Sequence, residues 1–230
     1  MSIRPAFKLV AICIVLLIMT IGPTSANAFE PTSKYSKVNI NGWTVYFSSK
    51  FAKEPKARKV ITAKLQKQTA FIAKTLPAKH VKVMRKADIW VEPGGHYRAL
   101  ARHHAFKGGI YQEKLNPQKY RDVEIFGMFA DVRHPSLVLH ELAHVYHDRK
   151  LGWSDSKIER IYDRFAASMP SAKDKCGKPN KAYALENHNE FFATFTEAYF
   201  YKTCNYPYSR AHIQKHHPQM YALLKKAWGG

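Results

Sequence analysis

Acidic residues, cysteines and long apolar segments are all scarce in this chain. Its 230 residues include 17 Asp and Glu against 37 Lys and Arg, so the formal net charge is +20. The shortage of acids excludes an acidic disordered tail, and the single long apolar run excludes a polytopic membrane protein. The sequence also lacks internal repeats, low-complexity tracts and linkers, which indicates a single domain.

The one long apolar run has the form of an export signal. Two basic residues precede an uncharged run over residues 9–21, and a Gly-Pro pair follows it. Residues 26–28, Ala-Asn-Ala, have the small-x-small pattern that signal peptidase cuts. The run is shorter than the roughly 20 residues that cross a bilayer. We therefore expect a cleaved signal peptide over residues 1–28 and an exported chain, secreted or periplasmic, over residues 29–230 without a transmembrane segment; an uncleaved anchor is the alternative.

The excess of positive charge predicts attraction to anionic polymers and surfaces. Lys and Arg are spread along the chain without interleaved aromatic residues and without a recognisable nucleic-acid-binding motif. We therefore expect a solvated cationic surface and no specific nucleic-acid partner.

Few cysteines remain once the signal is removed. Cys13 lies inside it, so Cys176 and Cys204 are the remaining thiols of the mature chain. An oxidising compartment favours pairing them, and two unpaired thiols are the alternative.

Strand patterns come first along the chain and helix patterns follow, which predicts an α+β domain with a small amino-terminal sheet, a helix packed on it and a helical second half. Asn41-Gly42 is a strong hairpin signal between two short β-rich runs. Residues 93–118 hold two Gly-Gly pairs and read as a long irregular loop. Residues 81–91 read as an edge strand, which an extended peptide could extend. The expected elements are strands over 38–40, 43–47, 81–91 and 123–126, helices over 55–76, 135–151, 155–168 and 188–202, and further helices after Tyr208 and after Pro218.

One predicted helix carries the motif His140-Glu141-Leu142-Ala143-His144, an HExxH. Residues four apart lie on the same face of a helix, so the two imidazoles can share one metal ion while Glu141 stands beside it. A zinc hydrolase needs this arrangement, because zinc lowers the pKa of water and an adjacent carboxylate takes the proton. A surface helix with unbound histidines is the alternative.

The third metal ligand is not fixed by the motif. A metzincin would have Gly at position 147 and His at 150, but the chain has His147 and Lys150, so that pattern fails. We expect His147 to lie behind the ligands or to face solvent. Acidic residues downstream are the remaining choices, and they are Glu159, Asp163, Glu186, Glu190 and Glu197.

Glu190 is the best of these acids. On a helix over 188–202, Glu190, Thr194 and Glu197 form one polar stripe, and aromatic residues cover the opposite side. A carboxylate on a largely buried helix is costly unless it is paired or bound to a metal. The alternative is a capping box, with Asn187 as N-cap and Glu190 three residues later.

At this point the sequence resembles a known family. Residues 140–144 together with 183–193, Tyr-Ala-Leu-Glu-Asn-His-Asn-Glu-Phe-Phe-Ala, look like the gluzincin peptidases related to the anthrax lethal factor catalytic domain and to the Mlc titration factor family. Close similarity covers residues 135–150 and 183–200. The family's Gly before the second His is Ala143 here, and its frequent acid four residues after the ligand Glu is Thr194.

The resemblance implies a zincin-like fold and one zinc ion held by His140, His144 and Glu190. It also implies that Glu141 is the general base and that the Tyr183 hydroxyl stabilises the oxyanion. We therefore expect an exported zinc metallopeptidase that acts on a peptide or protein substrate. Two other classes stay open, namely a catalytically inactive zinc-binding cationic adhesion protein and a nucleic-acid-binding protein with incidental histidines.

Overall fold

A computed structural model of the chain describes residues 29–94, 99–176 and 181–229. Within these ranges the protein has a five-stranded mixed sheet and eight α-helices, so the predicted α+β class is confirmed. The predicted signal peptide, residues 1–28, lies outside the described residues. Across the described ranges, no helix combines the length and apolar character that a membrane crossing requires.

The sheet has the strand order β1-β2-β3-β5-β4. β1 and β2 form the predicted hairpin, β2, β3 and β5 run parallel, and β4 pairs antiparallel with β5 at the edge. The turn of the hairpin places Asn41 at φ 51° and Gly42 at φ 90°, which suits an Asn-Gly pair. The strands are β1 Ser36–Ile40, β2 Trp43–Phe47, β3 Ile89–Glu92, β4 Ala101–His103 and β5 Val123–Phe126.

The helices cluster in the second half, as predicted. α1 begins at Pro55, the favoured first helical position for proline. The helices are α1 Pro55–Thr75, α2 Ala78–Met84, α3 Lys107–Gln112, α4 Leu137–Tyr146, α5 Ser156–Ser168, α6 His188–Phe200, α7 Arg210–His216 and α8 Pro218–Trp228.

The predicted strand over 81–91 is wrong in its first part and in its place in the sheet. Residues 78–84 form α2, in which His80, Val81 and Met84 are buried. Their i, i+1, i+4 spacing is helical, although the run is rich in β-branched residues. The strand itself is β3, and it lies between β2 and β5, so both of its edges are paired. It is therefore not available to an added peptide.

The predicted long loop over 93–118 is also wrong as an irregular segment. It contains β4 and α3, followed by a 3-10 turn at Pro117–Lys119. β4 pairs with β5 and is an edge strand of the sheet. The sequence analysis had predicted β3 as the edge strand. Only three residues long, β4 gives too short an alternation to be recognised from sequence. His96 of this segment lies outside the described residues.

The HExxH helix begins two residues later than predicted. Pro135 and Ser136 form a turn, and α4 starts at Leu137. The last predicted turn, His147–Leu151, is a π-helix, and Gly152 at φ 98° ends it, as expected for a glycine after a helix. All ten residues of α4 are buried, so this helix runs through the core between the sheet and α6.

Candidate metal centre

The position of α4 is fixed from outside the helix by a side chain of α1. The Gln68 carboxamide accepts a hydrogen bond from the backbone N–H of Val138 at 2.9 Å and donates one to the carbonyl of His134 at 2.7 Å. The first turn of a helix has free N–H groups, and Gln68 satisfies one of them inside the protein. This contact holds the amino end of the helix that carries His140 and His144.

α6 approaches α4 with its first turn, and a side-chain cap defines where it begins. Asn187 accepts hydrogen bonds from the backbone N–H groups of Asn189 and Glu190, each at 2.9 Å. Asn187 is therefore the N-cap, as the capping alternative proposed. The carboxylate of Glu190 nevertheless contacts the two histidines of α4, so the cap and the predicted ligand position coexist.

Three ligand atoms converge between the two helices. Nε2 of His140 lies 3.0 Å from Oε2 of Glu190, Nε2 of His144 lies 3.3 Å from the same oxygen, and the two Nε2 atoms are 3.1 Å apart. His140, His144 and Glu190 could thus hold a metal ion. Among the described residues no other group of His, Cys, Asp and Glu side chains converges in this way.

The donor set and its spacing fit a tetrahedral divalent ion. Ligand atoms about 2.0–2.1 Å from a tetrahedral ion are roughly 3.3–3.4 Å from one another. The observed separations of 3.0–3.3 Å are close to that value. Two imidazole nitrogens and one carboxylate oxygen are also a ligand set of catalytic zinc sites, in which one position stays open.

Glu197 holds the imidazole of His140 from behind, a role that the sequence analysis did not assign. Its Oε1 lies 2.7 Å from Nδ1 of His140, and its Oε2 accepts a hydrogen bond from the Ser136 hydroxyl at 3.1 Å. A proton on Nδ1 leaves the Nε2 lone pair free to bind a metal. The polar stripe on α6 was the signal for this residue, since Glu197 is a nearly fully buried acid on a helix of aromatic residues.

Glu141 is buried beside the ligands. Its carboxylate accepts a hydrogen bond from the backbone N–H of His103 on β4. Burial raises the pKa of Glu141 to about 8, and the charges of Glu190 and Glu197 add to the rise, whereas His140 opposes it. The carboxyl group is therefore poised to gain and release a proton near neutral pH.

The predicted Tyr183 lies at the rim of the same site. Its ring centroid is 6.0 Å from that of His140, and the residue is 44% exposed. Burial of the hydroxyl end, together with the negative charges of Glu190 and Glu141, raises the pKa of the phenol. The hydroxyl therefore keeps its proton at neutral pH and can donate a hydrogen bond.

His147 does not face solvent. It is fully buried, with its ring 5.0 Å from Phe192 and 5.8 Å from Trp153 between centroids. Burial lowers its pKa to about 3. The solvent-facing alternative is wrong, because the imidazole packs against Phe192 and Trp153 inside the protein.

The remaining candidates lie outside the converging group. Glu159 is 3.7 Å from His188, and Asp163 and Glu186 are not part of the three-residue cluster. Two histidines of the segment that was predicted to be a loop, residues 93–118, contact other acids. Nε2 of His103 lies 3.2 Å from Oδ2 of Asp148, and Nε2 of His104 lies 3.0 Å from Oε2 of Glu124.

The predicted disulfide between Cys176 and Cys204 is present. Next to it, the carboxylate of Asp174 accepts hydrogen bonds from the backbone N–H groups of Tyr183 at 3.1 Å and Tyr206 at 2.7 Å. The backbone of Lys175 also donates to the carbonyl of Cys204 at 2.7 Å. The bridge therefore closes a segment that contains Tyr183, and Asp174, two residues before Cys176, holds the backbone of Tyr183 from just outside that segment.

Comparison with known proteins finds no family model, no curated protein and no solved structure that matches this chain.

Proposed function

We propose that this chain is an exported zinc-dependent peptidase of the gluzincin type, with a zincin-like arrangement of its sheet and helices. The observation that carries the proposal is the convergence of His140, His144 and Glu190, with the buried Glu141 beside them. A carboxyl group that is not a ligand, next to a ligand set of two histidines and a second carboxylate, is the arrangement required for metal-assisted hydrolysis. The resemblance of residues 140–144 and 183–193 to gluzincins supports the same activity.

Zinc, when bound by these three residues, acts as a Lewis acid that polarises a carbonyl oxygen and lowers the pKa of water. Glu141 takes a proton from the attacking water and delivers it to the leaving amine. Tyr183 donates a hydrogen bond to the peptide oxygen as negative charge develops there. Glu197 keeps the His140 ring in place through Nδ1.

The neighbouring elements support this assignment. β4 lies at the edge of the sheet, and the N–H of its last residue, His103, binds Glu141. The general base, Glu141, is therefore held by β4. The ligand His140 is held by Glu197 of α6. The disulfide and the signal-like residues 1–28 support an exported protein.

The rival function is that of a zinc-binding but catalytically inactive cationic surface protein. Metal analysis and hydrolysis of a mixed peptide library distinguish the two. We expect one zinc per chain and hydrolysis by the natural sequence, zinc without hydrolysis in Glu141→Gln, and loss of both in Glu190→Ala. Glu186→Gln, an exposed acid four residues before Glu190, is the matched control and should retain both.

Stoichiometric zinc without hydrolysis of any peptide would favour the inactive surface protein. Absence of zinc, combined with tight binding to nucleic acid that weakens steeply with salt, would favour the third class, in which the histidines are incidental.

A further inference from the structure

The positive charge of the chain is concentrated in one part of the fold. Residues 31–87, which form the β1–β2 hairpin, α1 and α2, contain 14 Lys and Arg but a single acid, Glu54. Residues 88–230, by contrast, contain 21 Lys and Arg and 15 Asp and Glu. The surface of α1, α2 and the hairpin is therefore far more cationic than the rest of the protein.

Four lysines of α1 form a row on the exposed side of the helix. At about 100° per residue, Lys56, Lys67 and Lys74 project within about 20° of one direction, and Lys59 projects about 60° to one side. The row is about 27 Å long, since successive residues rise by about 1.5 Å. All four lysines are exposed, and the opposite side of α1 is buried through Ile61, Leu65, Gln68, Thr69 and Ile72.

α2 exposes a second, shorter row of lysines. Its buried residues are His80, Val81 and Met84, whereas Lys79 and Lys82 are exposed, and so is Lys86 just after the helix. α1 and α2 both pack against α4. The two helices therefore form one layer over α4, with their lysines on the outer side of that layer.

The turn of the β1–β2 hairpin joins the two rows. Nδ2 of Asn41 donates a hydrogen bond to the carbonyl of Gln66 on α1 at 2.9 Å. The carbonyl of Asn41 in turn accepts one from Nη2 of Arg85, just after α2, at 2.6 Å. Gln66 precedes Lys67 and Arg85 precedes Lys86, so the rows meet at this turn. We call the resulting surface the cationic face, and it consists of Lys56, Lys59, Lys67, Lys74, Lys79, Lys82 and Lys86.

The charges of the cationic face are not neutralised within the protein. Within the described ranges, none of the seven lysines lies within ion-pairing distance of an acid. In the same part of the chain, Val60, 41% accessible, is the one exposed large apolar residue of α1 and α2. The face therefore offers positive charge to a partner without an apolar surface to insert.

We propose that the cationic face holds the protein on the surface of a lipid bilayer that is rich in anionic phospholipid headgroups. A flat, negatively charged surface can meet both rows at once, and each lysine near such a surface strengthens binding about 5-fold. The face lies on the side of α1 and α2 that is turned away from α4. Docking there does not cover the candidate metal centre, which lies between α4 and α6.

Other anionic partners match the composition of the face less well. Nucleic acids favour Arg, which binds phosphate with two donors, and stacked aromatic rings. Here 12 of the 14 basic residues are Lys, and the two arginines bond to Ser36 and Asn41 of the protein itself. Lys is also depleted at interfaces between proteins. A bilayer surface requires only point charges, which lysines supply.

Co-sedimentation of the full chain with vesicles tests the proposal. One set of vesicles contains phosphatidylcholine alone, and the other contains about 30% phosphatidylglycerol, which is anionic. We expect binding to the anionic vesicles in about 50 mM salt, binding at least about 10-fold weaker in about 300 mM salt, and none to phosphatidylcholine alone.

Charge-removing variants locate the contact. Lys→Gln at all four positions of the α1 row should weaken binding to anionic vesicles about 100-fold or more, and at the three positions of the α2 row about 30-fold or more. The matched control for the α1 row removes four exposed lysines from other elements and should weaken binding less than about 10-fold. It changes Lys107, Lys157, Lys173 and Lys215 to Gln. Melting temperatures check that each variant is folded.

Every other outcome overturns the proposal. An equal loss in the control variant would assign binding to net charge, and a loss confined to one row would contradict contact with a flat surface. Binding to linear polyphosphate but not to anionic vesicles would assign the face to a phosphate polymer. Salt-independent binding to neutral vesicles would assign attachment to the apolar residues 9–21. None of these measurements involves zinc or hydrolysis, so their outcome is independent of the proposed peptidase function.

Discussion

Oε1 of Glu197 lies 2.7 Å from Nδ1 of His140, on the side of the ring opposite to the converging ligand atoms. Glu197 stands seven residues after Glu190, two turns along α6 on the same polar stripe. In the gluzincin-like pattern, a further acid often lies four residues after the ligand Glu, and this chain has Thr194 at that position. The chain thus supplies an acid to the first histidine from one turn further along the helix.

Glu197→Gln should weaken zinc binding. The amide keeps a hydrogen-bond acceptor for Nδ1 but removes the charge that makes His140 a stronger ligand, and changes of this kind typically cost 10- to 100-fold in metal affinity. Competition with a chromogenic chelator measures the loss. Thr194→Val is the matched control. Its buried hydroxyl has no hydrogen-bond partner among the described residues, so the apolar isostere should leave the affinity unchanged.

Tyr183→Phe should reduce kcat about 100-fold while KM and zinc content stay near their original values. The phenyl ring can keep its packing against His140, so only the hydrogen-bond donor is lost, and one lost donor to a developing oxyanion has about this effect. Steady-state kinetics on a fluorogenic peptide measure the change. Tyr111→Phe serves as the control for removing a tyrosine hydroxyl, and an unchanged kcat in Tyr183→Phe would remove Tyr183 from the mechanism.

The metal-binding group was predictable because local periodicity determines most of it. The spacing of His140 and His144 places both rings on one face of a helix, and a carboxylate such as Glu190 on a buried helix needs a partner. The pairing of Cys176 with Cys204 was predictable because these are the two cysteines that remain after removal of the predicted signal peptide. Each of these inferences depends on few residues and on strong chemical constraints.

The features that the sequence missed depend on contacts between distant segments. β4 is a strand because it pairs with β5, and three residues carry too little alternation to reveal it. α2 is a helix because His80, Val81 and Met84 pack inward, which overrides the β-branched composition of the run. The contact between Trp153 and His144 depends on how the loop after α4 folds back, and nothing in the local sequence around Trp153 encodes that geometry.

Removing the disulfide should destabilise the fold before it affects the metal. The bridge joins residues 28 apart, and a loop of that length contributes roughly 3–4 kcal/mol in the chain-entropy model. We expect a lower melting temperature in the Cys176→Ser, Cys204→Ser double variant, with zinc still bound at 25 °C. Hydrolysis should also fall, because the bridge anchors Cys176, and Asp174, two residues before it, holds the backbone of Tyr183.

A phosphine reductant, which does not chelate zinc as dithiols do, provides the companion experiment. It should lower the melting temperature of the natural sequence to that of the double variant and leave the double variant unaffected. An unchanged melting temperature after complete reduction would show that the bridge does not stabilise the folded state.

The stability of the protein should fall on mild acidification, partly because of His217. Its Nε2 lies 2.6 Å from the Tyr206 hydroxyl, and its ring packs against Phe165 and Phe195. Burial lowers the pKa of His217 from 6.5 to about 4, and the neighbouring His212 and His216 add to the shift. Below pH 6.5 the unfolded chain therefore binds a proton that the folded chain does not.

The contribution of His217 is fully present above pH 6.5, is lost as the pH falls toward about 4, and does not change further below that. With a discount for partial exposure of the ring, we expect a loss of about 1–2 kcal/mol between pH 7 and pH 4.5. Urea unfolding at these two pH values measures it. The loss of unfolding free energy between the two pH values should be smaller in His217→Gln than in the natural sequence. His216→Gln, at the exposed neighbouring position, should retain most of this loss. Equal pH dependence in all three proteins would assign the acid sensitivity to groups other than His217.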